Sequence, residues 1–161
     1  EIAMRAAMTG HLVLSTIHTN NAVSSIDRLL DIGVEPYLIA GAVKGIVSQR
    51  LLRKVCPHCK KPYVPPAEER EALDLPPGEY TFYRGAGCGE CFGTGYRGRT
   101  GVFEILPVNP AIRRAIHSRS LKDLEAAMDQ ADFHPIMENC RKLVLDGVTS
   151  SEEVHRVLGG G

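Results

Sequence analysis

Apolar positions along the chain recur with two periods, and the switches between them mark out the elements. Ile2, Ala3, Ala6, Ala7 and Met8 favour a helix over 2–9, closed by Thr9-Gly10. Leu12-Val13-Leu14-Ser15-Thr16-Ile17 is a short apolar, partly β-branched run. It predicts a buried strand of a mainly parallel sheet, ending in the polar cluster His18-Thr19-Asn20-Asn21. Ligands of open α/β sheets bind at the carboxyl ends of strands, which makes that cluster a candidate site. Val23, Ile26, Leu29 and Leu30 return to the helical period behind a cap at Asn20 or Asn21 and stop at Gly33. Pro36 opens another helix with Ile39, Ala42, Val43, Ile46 and Val47 as its inner stripe. Leu51, Leu52 and Val55 form a strand interleaved with Arg50, Arg53 and Lys54.

The period is lost over 60–77, where five prolines fall among charges, leaving loop with one short helix from Ala67 to Leu73. Tyr80, Phe82 and Tyr83 suggest a small strand, and Val102-Phe103-Glu104-Ile105-Leu106 a longer one. The remainder is helical. Asn109-Pro110 caps a helix carrying Ile112 and Ile116, and Ser120 to Asp123 opens one with Leu121, Leu124 and Met128. A longer helix carries Ile136, Met137, Cys140, Leu143 and Val144 as far as Gly147. Ser150 to Glu153 is a capping box before Val154, Val157 and Leu158, and Gly159-Gly160-Gly161 should fray. The chain therefore reads as α/β: a body over 1–55, an irregular segment over 56–98, and a returning strand with helices over 99–161.

Charge and composition narrow the classes. Lys+Arg and Asp+Glu number 19 each, a balance that argues against a nucleic-acid module driven by bulk charge. Hydrophobic residues are 43% of the chain, enough for a packed core, yet no run reaches the roughly 18 residues of a transmembrane helix. The first residues do not have the shape of a signal peptide. With no secretion signal, five cysteines argue for metal binding over disulfides.

The cysteines carry the clearest chemistry. Cys56-Pro57-His58-Cys59 and Cys88-Gly89-Glu90-Cys91 are two C-x-x-C pairs with 28 residues between them. This is the pattern of a four-thiolate tetrahedral site, and such a site with no open position is structural. Zinc is the expected ion; redox-active pairs or iron are the alternatives. Cys140 is left over and reads as a small buried hydrophobe. His11 and His18 bracket the predicted strand at 12–17. A search for G-x-x-x-x-G-K-[ST] finds nothing, and the glycines at 85–89 and 93–101 read as turns around the thiols.

Taken together, Thr9-Gly10-His11 with Ser15-Thr16-Ile17-His18-Thr19-Asn20 resembles the histidine box of the type II secretion and type IV pilus assembly ATPases. Arg28-Leu29, Asp31 to Pro36, Gln49-Arg50-Leu51, the tetracysteine, Gly95 to Gly101 and Thr149 to Val154 are similar to that family in the same order. The resemblance implies the C-terminal part of a RecA-like P-loop ATPase core, with a tetracysteine zinc insertion and a C-terminal helical region. It implies a cytoplasmic homo-hexamer, peripheral at the inner face of the cytoplasmic membrane, that works with inner-membrane platform proteins and not with nucleic acid. His18 and His11 are then catalytic, Thr19, Asn20 and Arg50 contact the nucleotide, and Cys56, Cys59, Cys88 and Cys91 hold zinc. The family's P-loop and magnesium-binding box lie upstream of residue 1, so ATP and Mg2+ belong to the full-length protein, and the 161-residue chain alone is expected not to hydrolyse ATP. The competing reading is a zinc-ribbon protein-binding module like the zinc domain of DnaJ-type chaperones. It accounts for Cys88 to Gly95 but leaves the histidines unexplained.

Overall fold

The computed structural model describes residues 1–159; the fraying expected at Gly160 and Gly161 lies outside the described residues. In chain order the elements are α1 (Ile2–Met8), α2 (Ala22–Asp31), α3 (Pro36–Ala42), β1 (Gly45–Val55), β2 (Lys60–Tyr63), α4 (Ala67–Ala72), β3 (Phe82–Gly85), β4 (Tyr96–Pro107), α5 (Pro110–Ser118), α6 (Leu121–Gln130), α7 (Ile136–Leu145) and α8 (Ser151–Leu158). A 3-10 turn, Gly89–Cys91, precedes β4. β1 pairs with β4, and β2 pairs antiparallel with β3, with Lys60 opposite Gly85 and Tyr63 opposite Phe82.

The chain divides into two compact units. The first comprises Glu1–Ser48 and Glu104–Pro135. Its core is Ile26 of α2, Leu38 and Ile39 of α3, Leu106 of β4, and Ile112, Ala115 and Ile116 of α5. Local chemistry sets its helix starts. Asn109 Oδ1 accepts the Ile112 N–H at 2.9 Å behind Pro110, and Ser120 Oγ accepts the Asp123 N–H at 3.2 Å. Gly33, with φ +86°, takes the left-handed conformation that ends α2.

The sequence expectations differ from this unit in two places. Residues 12–17 are not a strand. The segment has no ladder partner among the described residues, and Leu12 and Leu14 are 90% and 88% exposed. α3 is also shorter than expected: Val43 leaves the helix at ψ 122°, and Ile46 and Val47 belong to β1. The i, i+3, i+4 spacing is helical, but these β-branched residues are suited to a strand, and pairing with β4 selects it, with Ile46 half-buried and Val47 on the exposed face.

The second unit comprises Gln49–Phe103 and the chain from Ile136 onward. Leu52, Leu73, Phe82, Val102, Cys140, Val144 and Val154 are buried together, and Tyr63 meets Phe82 edge-on with ring centroids 6.1 Å apart. Cys140 is the buried small hydrophobe its pattern predicts, with burial pushing its thiol up to about 11. The excursion between β2 and β3 returns Leu73 to this core but leaves Pro76, Pro77, Gly78 and Glu79 in solvent. α8 starts as predicted, with Ser150 Oγ accepting the Glu153 N–H at 3.1 Å. The reciprocal half of the capping box is replaced. The fully buried Glu153 carboxylate accepts Nε and Nη2 of Arg53 at 2.9 and 2.7 Å, the Arg53 N–H at 3.1 Å, and Nε and Nη2 of Arg156 at 3.0 and 2.6 Å. The Arg53 guanidinium lies 4.1 Å from the centre of the Tyr96 ring.

Candidate metal centre and histidine segment

The two C-x-x-C pairs meet inside the second unit. Cys56 follows β1 and Cys59 precedes β2, while Cys88 caps the 3-10 turn and Cys91 is its last residue. The sulfurs are 3.9 Å apart for Cys56 and Cys88, 3.8 Å for Cys59 and Cys91, and 3.7 Å for Cys88 and Cys91. All four ligand atoms lie within 4.8 Å of one another. A tetrahedron with metal–sulfur bonds of about 2.3 Å has edges of about 3.8 Å, so the spacing matches four thiolates around one ion. It is far outside the roughly 2.05 Å of a disulfide.

Backbone N–H groups point at two of these sulfurs. The Cys88 and Gly95 N–H groups each point at Cys91 Sγ from 3.2 Å, and the Gly87 N–H points at Cys59 Sγ from 3.3 Å. Burial alone would raise the Cys91 thiol, but the N–H groups of Cys88 and Gly95 offset this and bring it down to about 6. Cys59 moves the other way, pushed up to about 11 chiefly by burial. A divalent cation between four close sulfurs favours their thiolate forms.

The knuckles need glycine at the point where two turns cross. A Cβ on Gly85 would lie 2.1 Å from the Gly95 carbonyl oxygen, and one on Gly95 (φ +78°) would lie 2.6 Å from that of Gly85. Neither backbone can yield, because the Gly95 carbonyl also accepts the Cys56 N–H at 2.9 Å. Gly85→Ala is therefore expected to lower stability by about 2 kcal/mol and to weaken metal retention. Thermal melting and metal content after dialysis check this; a variant with parental values for both would show that the crossing tolerates a side chain.

The other predicted site residues lie along the extended segment after α1. His11 is exposed, with Nδ1 3.2 Å from Thr9 Oγ1, which itself donates to the Ala6 carbonyl. His18 and Asn20 are exposed, and Thr19 is half-buried with Oγ1 2.5 Å from Ser25 Oγ. His18, Thr19 and Asn20 thus stand together at the entrance to α2, and His11 stands apart at the end of α1. Arg50 is half-buried on β1 within the second unit.

Sequence reasoning misses one functional-looking residue, Glu104. Glu104 is 4% exposed, and its Oε1 accepts the N–H of Ala22, the first residue of α2, at 2.8 Å. The signal was present: Glu104 shares the inward parity of Val102 and Leu106. In the sequence Glu153 reads only as part of a cap.

Comparison with known proteins decides the family. The model of the type II/IV secretion system protein family matches residues 1–156. The chain belongs to that family. It is 44% identical to the type II secretion system protein E of Pseudomonas aeruginosa, over 98% of this chain and 32% of that protein. It is 43% identical to the type II secretion system ATPase E of Vibrio cholerae, over 98% and 31%. The type IV pilus assembly ATPase PilB of Thermus thermophilus is 41% identical over 96% of this chain and 18% of its own length. The crystal structure of the pilus retraction motor PilT with bound ADP superposes with a TM-score of 0.62 at 25% identity, covering 96% of this chain and 34% of that one. The chain spans about a third of the length of the first two relatives. Its fold is that of an α/β ATPase part carrying a tetracysteine, and no described helix is long and apolar enough to cross a membrane.

Proposed function

We propose that this chain is the C-terminal part of an ATPase that powers type II protein secretion or type IV pilus assembly. The observation that supports this most strongly is the 43% identity, across 98% of the chain, to a type II secretion system ATPase. In this reading the motor is a cytoplasmic homo-hexamer working beside platform proteins at the inner membrane. The residues over 56–98 form an insertion stapled by structural zinc on Cys56, Cys59, Cys88 and Cys91. The sulfur spacing supports zinc, and the closed ligand set leaves the ion no open position for chemistry. Its contribution is to hold a surface, with a platform protein as the partner.

His18 faces the nucleotide's phosphates in the assembled motor, His11 assists from the end of α1, and Thr19, Asn20 and Arg50 contact the nucleotide. ATP and Mg2+ are held by parts of the motor's polypeptide outside this chain. The exposure of His18, Asn20 and their neighbours is what a surface awaiting a ligand requires, and the Thr19–Ser25 contact fixes the entrance to α2 beneath them. His18→Ala in the full-length motor is expected to lower ATP turnover at least about tenfold with the hexamer intact. Parental turnover in a coupled assay would remove the histidine from the mechanism. Turnover by the 161-residue chain alone would overturn the placement of the nucleotide-binding parts outside it.

A further inference from the structure

We propose that Glu104 is a positioning residue for the histidine segment, holding the chain that presents His18 through a hydrogen bond to the first turn of α2. The inference rests on the reading that His18 works at the nucleotide.

Glu104 lies on β4 at an inward position between Val102 and Leu106, where packing alone favours an apolar side chain. Burying a carboxyl group is costly unless it is hydrogen-bonded. Here it accepts the Ala22 N–H at 2.8 Å, and Ala22 is itself fully buried. Ala22 is the first residue of α2, so the carboxyl group sits at the positive end of the helix dipole, where an acid is favoured. It also satisfies one of the four N–H groups that a helix start leaves open.

Two further ties act on the same few residues. Asn21 and Ser24 exchange capping bonds, with Ser24 N–H to Asn21 Oδ1 at 2.8 Å and Asn21 N–H to Ser24 Oγ at 3.1 Å. Ser25 Oγ donates to the Asn21 carbonyl at 3.0 Å and lies 2.5 Å from Thr19 Oγ1. The chain is thus fixed at residues 19, 21 and 22, directly after His18. The ties at 19 and 21 are local to α2 and travel with it. Glu104, 82 residues further along the sequence, anchors the helix start to β4. It decides where the locally capped turn, and His18 with it, sits in the first unit.

A group held this way acts on the geometry of the reacting complex. Misplacement by about 1 Å far from the chemistry can lower turnover by about a hundredfold. In the full-length motor, Glu104→Ala is expected to lower kcat for ATP at least about tenfold, with KM within about threefold of the parent. Glu104→Gln keeps an oxygen that accepts the Ala22 N–H and is expected to recover kcat to within about threefold. Hydrogen exchange at residues 19–25 should speed up in Glu104→Ala and stay near parental in Glu104→Gln. His18→Ala is run alongside. If His18→Ala loses turnover while Glu104→Ala keeps parental kcat, the positioning role is overturned and the histidine reading stands. If His18→Ala keeps parental turnover, both fall. If Glu104→Gln is as impaired as Glu104→Ala and both lose turnover only in step with melting temperature, Glu104 is structural and the inference is overturned. Should Glu104→Ala fail to fold, Glu104→Asp decides. It keeps the carboxyl group but shortens its reach by one methylene, and a kcat about tenfold lower supports positioning where a parental kcat overturns it.

Discussion

Removing the metal, or replacing Cys56 and Cys91 by serine, is expected to unfold the knuckle and to release both ends of the β2–β3 hairpin. Cys56, Cys59 and Cys91 form a buried cluster with the half-buried Cys88, apart from the larger apolar cluster of the second unit, so an ion between the sulfurs would supply much of what holds the knuckles together. Apparent binding energies for four-thiolate zinc are on the order of 10 kcal/mol, comparable to the whole stability of an ordinary domain. The loss should be graded along the chain. The Cys56 N–H to Gly95 carbonyl bond and the Ala86 N–H to Cys59 carbonyl bond lie within the knuckle and should exchange fastest. Leu52, Phe82, Val144 and Val154 belong to a separate apolar cluster and should protect their backbone longer. Metal analysis should return about one ion per chain, and chelation should produce an early melting step that the double serine variant shows from the outset. An unchanged melting curve after verified metal loss would show that the thiols are passive. In cells the double variant should abolish secretion or assembly while nucleotide binding by the full-length motor stays near parental. Loss of nucleotide binding would place the thiols in the core instead.

The second large effect centres on Glu153. Burial alone would raise this carboxyl group. Hydrogen bonds from Arg156 and Arg53 outweigh burial and bring it from 4.5 down to about 2. A lowered carboxyl pKa in the folded state contributes stability that is present above the unfolded value. That stability is lost as pH falls from about 4.5 towards about 2. The shift corresponds to about 3 kcal/mol at neutral pH. Glu153→Gln should therefore lower the melting temperature at pH 7 by on the order of 10 °C. Acid also releases thiolate-bound metal, so the informative quantity is the difference between parent and variant at each pH. That gap should be constant above about pH 5 and close below it. A gap that persists unchanged at pH 2 would mean that Glu153 acts through packing and not through charge.

These results separate what the sequence makes legible from what it does not. The cysteine cluster is legible because its members come as two covalently short pairs, and the distance between the pairs matters little once the turns are made. The caps at Asn21, Asn109, Ser120 and Ser150 are legible for the same reason: donor and acceptor lie within three residues. The segment 12–17 is not, because a strand exists only through a neighbour. Its apolar, β-branched residues describe a surface that fits a sheet without supplying the adjoining strand. Val43, Ile46 and Val47 misled for a related reason: their i, i+3, i+4 spacing is helical, and only the neighbouring strand, with which β-branched residues pack well, overrides it. Glu104 and Glu153 could not be paired in advance. Their partners, Ala22 and Arg53, lie 82 and 100 residues away, and only the folded chain brings them together.

The excursion between β2 and β3 has a practical consequence. Its two ends are fixed by the Lys60–Gly85 and Tyr63–Phe82 pairs and by the thiols just outside them, while the stretch from Pro76 to Glu79 is exposed. Doubling the length of a closed loop costs only about 0.6 kcal/mol. A small fluorescent tag inserted between Pro77 and Gly78 would ride on the second unit without disturbing the sulfurs or Glu153, giving a position from which single motors can be counted and tracked at work.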